Sequence, residues 1–173
     1  SKPHIGTDIL IEVVERMREE IIRLGGEFLF HSQVTDILPK ENCLIVNGCH
    51  RIETDAAVFA VGHSARDTFQ MLFDRNVAMK SKSFAIGVRA EHRQDMIDEA
   101  MYGRKERGPL GAAAYKLTAQ LENGRGVYTF CMCPGGYVVN ASSEQGRLAV
   151  NGMSYHDRAG ENANSAVIVT VTK

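Results

Sequence analysis

The sequence predicts an α+β chain whose sheets are mainly antiparallel, and three observations carry that reading. One segment near the start keeps helical spacing over five turns, short β-prone runs divided by turn residues fill most of the rest, and only two further segments look helical. The chain has 173 residues, 44% apolar and 24% charged, which is about one domain's worth of an ordinary globular composition.

The opening element is a helix. Thr7 or Asp8 supplies an N-cap, Leu10, Val13, Val14, Met17, Ile21 and Leu24 recur on one face, and Gly25-Gly26 ends the run. Glu12/Arg16 and Glu19/Arg23 are i,i+4 pairs on the polar side, so the apolar stripe is expected to rest on a partner surface. Strands are predicted at 27–30, 33–38, 44–46 and 51–53, with an Asn47-Gly48 hairpin turn, and at the apolar run 56–61. Gly62-His63-Ser64-Ala65-Arg66-Asp67 leaves that run and enters a short helix through about Asp74, a strand-to-loop-to-helix joint of the kind that often meets ligands.

From Ser83 onward the texture becomes β-rich. Strands are expected at 83–90, 112–121, 127–133, 137–141, 147–154 and 166–172, with 94–101 helical and a boundary near Met79 to Ser83. Arg158 to Ser165 is polar and reads as a solvated turn, although its two amides, Asn162 and Asn164, are of a type that hydrogen-bonds ligands. The final apolar stretch stops without a polar tail, so the chain reads as part of a longer one.

Charge excludes little but excludes it cleanly. Lys and Arg total 20 against 21 Asp and Glu, a net charge of -1, so no basic field points to nucleic acid or an anionic membrane surface. The longest uncharged run, 18 residues between Arg125 and Glu144, is broken by Pro134-Gly135-Gly136 and Asn140, and no membrane span is expected. SKPHIGTD has no apolar stretch behind a basic one, so no signal peptide is expected, and four cysteines spaced as Cys43/Cys49 and Cys131/Cys133 suit a reducing cytoplasm.

Motifs for chemistry are sparse. Neither G-x-G-x-x-G nor a P-loop occurs, so the chain lacks a self-contained phosphate cradle. On an unbroken strand, Cys131 and Cys133 would share a face, which suits inert core thiols, a place beside a cofactor or half a metal site; with no C-x-x-C and no suitably spaced ligands, no metal is expected. Gly62-His63 is either a ligand-facing turn or a structural one, and Pro134-Gly135-Gly136 presents the same choice. His63, Ser64 and Asp67 are loop neighbours without a nucleophile elbow, which argues against a hydrolase.

Taken together, KPHIGTD, LGGEFLFHSQVTDI, AAVFAVGHSARDTFQML, KSFAIGVRAEH, YTFCMCPGGYVVNASSE and NGMSYHDRAGENANSA resemble the bacterial family of uncharacterised FAD-dependent dehydrogenases, glutathione-reductase-like flavoproteins. The resemblance implies that the chain corresponds to the middle of a longer flavoprotein: residues 1–80 part of the FAD-binding domain, a helix plus short strands, and residues 81–173 an inserted, mainly antiparallel β-rich substrate domain. It implies that the backbone of Val34 and Thr35 faces the adenine and that Gly62, followed by His63 and Ser64, lies beside the dinucleotide. Val61 stands where such proteins usually carry Thr, so contact there would come from backbone. It also makes Cys131, Cys133, Gly135 and Gly136 candidates for a place near flavin or substrate, with Asn162 and Asn164 beside them; no catalytic residue is singled out.

The expected function is therefore that of a portion of an FAD-dependent oxidoreductase, with NAD(P)H or an organic donor supplying electrons. The expected partners are the remaining segments of the parent flavoprotein, a small-molecule substrate and a second copy of the chain. The isolated chain is expected to be inactive and not to retain FAD. The alternative is a non-catalytic binding or interaction module that works without cofactor.

Overall fold

A computed structural model describes residues 4–172. In chain order the elements are α1 (Thr7–Arg23), β1 (Val34–Leu38), a single 3-10 turn (Pro39–Glu41), β2 (Cys43–Val46), β3 (His50–Glu53), α2 (Arg66–Asp74), β4 (Phe84–Arg93), α3 (Gln94–Tyr102), β5 (Thr118–Gln120), β6 (Gly126–Cys133), β7 (Gly136–Asn140), β8 (Val150–Ser154) and β9 (Asn162–Val171). Every strand pair is antiparallel, giving the α+β class. Among the described residues no helix is long and apolar enough to cross a membrane.

The chain forms two compact units, residues 22–81 and, together, residues up to 21 and from 82 onward. In the first, β1-β2-β3 is a meander. Its second turn follows from sequence: Asn47 and Gly48 both take positive φ, 51° and 77°, and the Cys49 N–H closes the turn onto the Val46 carbonyl at 3.2 Å. Asn47 locks it, its Oδ1 accepting the Gln33 N–H at 2.9 Å and its Nδ2 donating to the His31 carbonyl at 2.9 Å. Ile37, Cys43 and Val46 form the buried centre. Arg75, just after α2, forks onto both carboxylate oxygens of Asp36 on β1.

In the other unit, β4-β9-β6-β5 make a four-stranded sheet and β7-β8 a separate hairpin. β4 and β9 pair along all ten residues, from Phe84 opposite Val171 to Arg93 opposite Asn162. The core is unusual in being partly polar: Asn164 and Ser165 are fully buried, and Gln94 and Asp98 are 2% exposed.

Several expectations are corrected. Residues 27–30 form no strand; a turn at Phe30 and His31, the latter at φ 54°, leads into β1. Residues 56–61 form no strand either and are exposed, Val58 at 92%. An apolar run becomes a strand only against a ladder partner, and none among the described residues pairs with it. The segment read as a polar turn at 158–165 instead enters β9 at Asn162, because its polar side chains find partners inside. The stripe of α1 is largely uncovered among the described residues: Leu10, Val14 and Met17 are 46%, 56% and 60% exposed.

Candidate functional site

The densest polar cluster lies where β4, β6, β8 and β9 meet. At the end of β6 the pairing with β9 slips: Phe130 sits opposite Ala166 but Cys133 opposite Asn164, so three steps on one strand span two on the other. Cys131 takes up the extra residue at φ 47°. This bulge overturns the alternation argument for the two cysteines, leaving Cys131 exposed and Cys133 half-buried. All four cysteines of the chain are free thiols.

Arg89 of β4 organises the cluster. Its Nη1 donates to Asn164 Oδ1 at 2.6 Å and to the Cys131 carbonyl at 3.0 Å, and stands 4.0 Å from Cys133 Sγ. Burial pushes the Cys133 thiol up from its ordinary range, and the Arg89 charge opposes that shift. Gly152 on β8 closes the cluster: a Cβ there would lie 2.2 Å from both Arg89 Nη1 and Asn164 Oδ1 and 2.9 Å from Cys133 Sγ. The Asn164 amide nitrogen is buried and has no partner.

The adjoining Pro134-Gly135-Gly136 corner is held by Gln94 of α3, whose Oε1 accepts the Gly135 N–H at 2.8 Å while its Nε2 donates to Asp98 Oδ1 at 2.8 Å and to the Ala113 carbonyl at 3.0 Å. Asp98 also accepts from the Ala113 N–H at 2.9 Å and from Arg107 at 3.2 Å. The glycines here answer to protein backbone. A Cβ on Gly135 would meet the Arg158 carbonyl oxygen at 1.8 Å, and one on Gly136 the Met153 carbonyl oxygen at 2.0 Å. A cavity of 480 Å³ lies beside this corner, lined by Cys131 to Pro134, residues 151–154, Arg158 and the start of α1.

The other candidates have partners of their own. Asn162 is tied to Glu91, its Nδ2 donating to Oε1 at 2.7 Å. The Thr35 hydroxyl donates to the Ile45 carbonyl at 3.2 Å and accepts the Gly48 N–H at 2.9 Å, so it braces the hairpin. Val34 lines a 420 Å³ concavity with Leu44, Ile52, Phe59, Val61 and Thr68. Gly62, His63 and Ser64 form a loop outside it, with Ser64 Oγ 3.3 Å from His63 Nε2; Gly62 has φ 73° and open space where a Cβ would stand. Sequence reasoning passed over Arg89, Gln94, Gly152 and Arg158. The visible signal for Arg89 was a lone cation inside the apolar run Phe84 to Ala90.

Among the described residues no group of three or more His, Cys, Asp or Glu comes together so as to hold a metal ion.

Comparison with known proteins gives this corner a context. Residues 83–173 match the family described as "FAD-dependent protein, C-terminal domain-like", and the chain belongs to that family. It is also 55% identical over 177 residues to a protein of Clostridium beijerinckii named "Uncharacterized protein", an alignment that takes in 99% of this chain and 33% of the other. The chain thus spans about a third of the length of the curated relative it matches.

The residues present fit FAD in part. A dinucleotide pyrophosphate is held by a glycine turn at a helix N-terminus. Here no G-x-G-x-x-G run leads into either helix: α2 follows an N-cap at Ala65, and Gly6 before α1 is packed against His156, whose backbone nitrogen a Cβ would meet at 2.3 Å. Neither start is such a cradle. The apolar concavity at Val34 and the open backbone at Gly62 suit the flank of a flat ring, not its phosphates.

Proposed function

We propose that this chain is the central portion of an FAD-dependent oxidoreductase of the dehydrogenase type, related to glutathione-reductase-like flavoproteins. In this reading residues 1–80 contribute to the FAD-binding domain and residues 81–173 are the inserted substrate domain. One observation carries it: the match to an FAD-dependent family starts at residue 83, and a compact unit resumes at residue 82, so the family signature coincides with a β-rich body able to serve as a domain.

The flavin, when bound, supplies hydride transfer at its ring, with electrons from NAD(P)H or an organic donor. The chain's own residues flank and shape. Val34 and Thr35 offer backbone toward the adenine, Gly62, His63 and Ser64 border the dinucleotide, and Cys131, Cys133 and Asn164 form, with Arg89, the polar wall on the substrate side, braced at Gly135 and Gly136. The remaining segments of the parent provide the pyrophosphate cradle, and the parent works in the cytoplasm.

The test is made on the full-length Clostridium relative. It should purify with bound flavin and lose its visible flavin absorption when NADH or NADPH is added without oxygen. A preparation free of flavin refutes the FAD reading and favours a non-catalytic module. A flavin that neither nucleotide reduces refutes the nicotinamide donor.

A further inference from the structure

We propose that the cavity between the start of α1 and the Cys131 bulge binds an organic carboxylate, with Arg158 as its anion-binding residue. The cavity measures 480 Å³, and a second of 270 Å³ adjoins it, sharing Cys131, Met132, Pro134 and Arg158. Both lie within one compact unit.

Arg158 is partly buried and stands in the left-handed region at φ 53°. Its Nε is shielded from solvent and has no hydrogen-bond partner, and no ion pair among the described residues includes it. The other partly buried arginines differ, Arg89 being held by Asn164 and the Cys131 carbonyl and Arg107 by Asp98. A buried N–H without an acceptor is unfavourable, and an acceptor arriving in the cavity removes that deficit. The neighbouring carboxylates serve elsewhere: Asp8 Oδ1 accepts the His156 N–H at 3.0 Å, and Asp157 Oδ1 accepts the Ala159 N–H at 3.1 Å. Gly6 and Thr7 line the cavity at the start of α1, whose first turn also carries Asp8.

The walls choose between anions. A guanidinium forks equally well onto carboxylate and phosphate. Leu10, Met132, Pro134 and Met153 make much of the lining apolar, which suits a compact organic body carrying one carboxylate over a bare phosphate that needs several donors. The inference deepens the oxidoreductase reading by naming a substrate class, and rests on it only in calling the ligand a substrate. Binding itself belongs to this chain without flavin, so a flavin-free relative would leave the result below standing, and the reverse.

The experiment titrates benzoate, and separately inorganic phosphate, into the ¹⁵N-labelled 173-residue chain while following the Arg158 Nε–H resonance and neighbouring amides. Saturable shifts with benzoate are expected, with phosphate at least about tenfold weaker, Arg158→Gln at least about tenfold weaker, and Arg158→Lys between the two. Absence of saturation, unchanged affinity in Arg158→Gln, or phosphate binding as tightly as benzoate overturns the proposal. Should Arg158→Gln fail to fold, Met132→Trp fills the cavity and keeps the arginine; it must lose benzoate, and retained binding there is equally fatal.

Discussion

Replacing Gln94 with Leu tests whether the polar core holds the candidate corner together. Gln94 is 2% exposed, and its amide makes three bonds, to Asp98, to the Ala113 carbonyl and from the Gly135 N–H. Leucine fills nearly the same volume but strands the Ala113 carbonyl and the Gly135 N–H, at about 1–3 kcal/mol each. Asp98 keeps its bonds from Ala113 and Arg107, so no charge is left bare. The expected loss is therefore about 2–6 kcal/mol, a large share of the roughly 5–15 kcal/mol that holds a domain folded. With a urea slope of about 1–3 kcal/mol/M, the unfolding midpoint should fall by about 2 M. All five tyrosines, at 102, 115, 128, 137 and 155, lie in the unit that contains Gln94, and the chain has no tryptophan. The tyrosine band of the near-ultraviolet circular dichroism therefore follows that unit, since the aromatic residues of the other are phenylalanines. A midpoint within about 0.3 M of the parent would show that this network does not carry the corner.

Three further outcomes are expected. Gly135→Ala should destabilise by about 2–4 kcal/mol, combining a backbone collision with a left-handed φ, whereas Gly62→Ala, with open space around it, should cost only about 1–2 kcal/mol; equal midpoints would refute the packing role of Gly135. The hydrogen bond from Arg75 holds the Asp36 carboxyl below its ordinary value of 3.8, so the pair's contribution is present above that value and fades as pH falls through the lowered one. Carboxyl titration by NMR should move Asp36 back toward 3.8 in Arg75→Ala, and no movement would refute the pairing. Under limiting iodoacetamide, mass mapping should find the exposed Cys49 and Cys131 modified before Cys133, whose thiol burial pushes up, and before buried Cys43; early labelling of Cys133 would contradict its environment.

What could be read from sequence was whatever local geometry decides. The period of α1, the Asn47-Gly48 turn and the β-branched run of β9 each follow from neighbours within a few residues, and each is where the pattern placed it. Long-range pairing was not legible. The run at 56–61 has strand chemistry but no ladder partner among the described residues, while Asn162 to Ser165 has turn chemistry yet joins β9, because Glu91 and Phe130 receive its polar groups. The cysteine pair shows the same limit at the scale of one residue: alternation assumes an even backbone, and the bulge at Cys131 is a property of the pairing, not of the side chains. Arg158 escaped notice because its distinction lies in what it lacks, a partner, and sequence does not display vacancies of that kind.

The outer strand β4 is guarded along only half its length. Among the described residues it pairs with β9 alone, so its other rim offers unsatisfied backbone donors and acceptors to any passing strand. From Arg89 on, Arg89 bonds to Asn164, Glu91 accepts the Val138 N–H of β7 and Arg93 pairs with Asp95, so the charged half is engaged within its own unit. From Phe84 to Val88 there is no charge at all, and Phe84, Ile86 and Val88 are 58%, 58% and 71% exposed. Self-association of this chain by strand addition would therefore start in that unguarded half, in a register that keeps the charged half free. A single lysine placed at Ile86 would act as the gatekeeper this rim does not have.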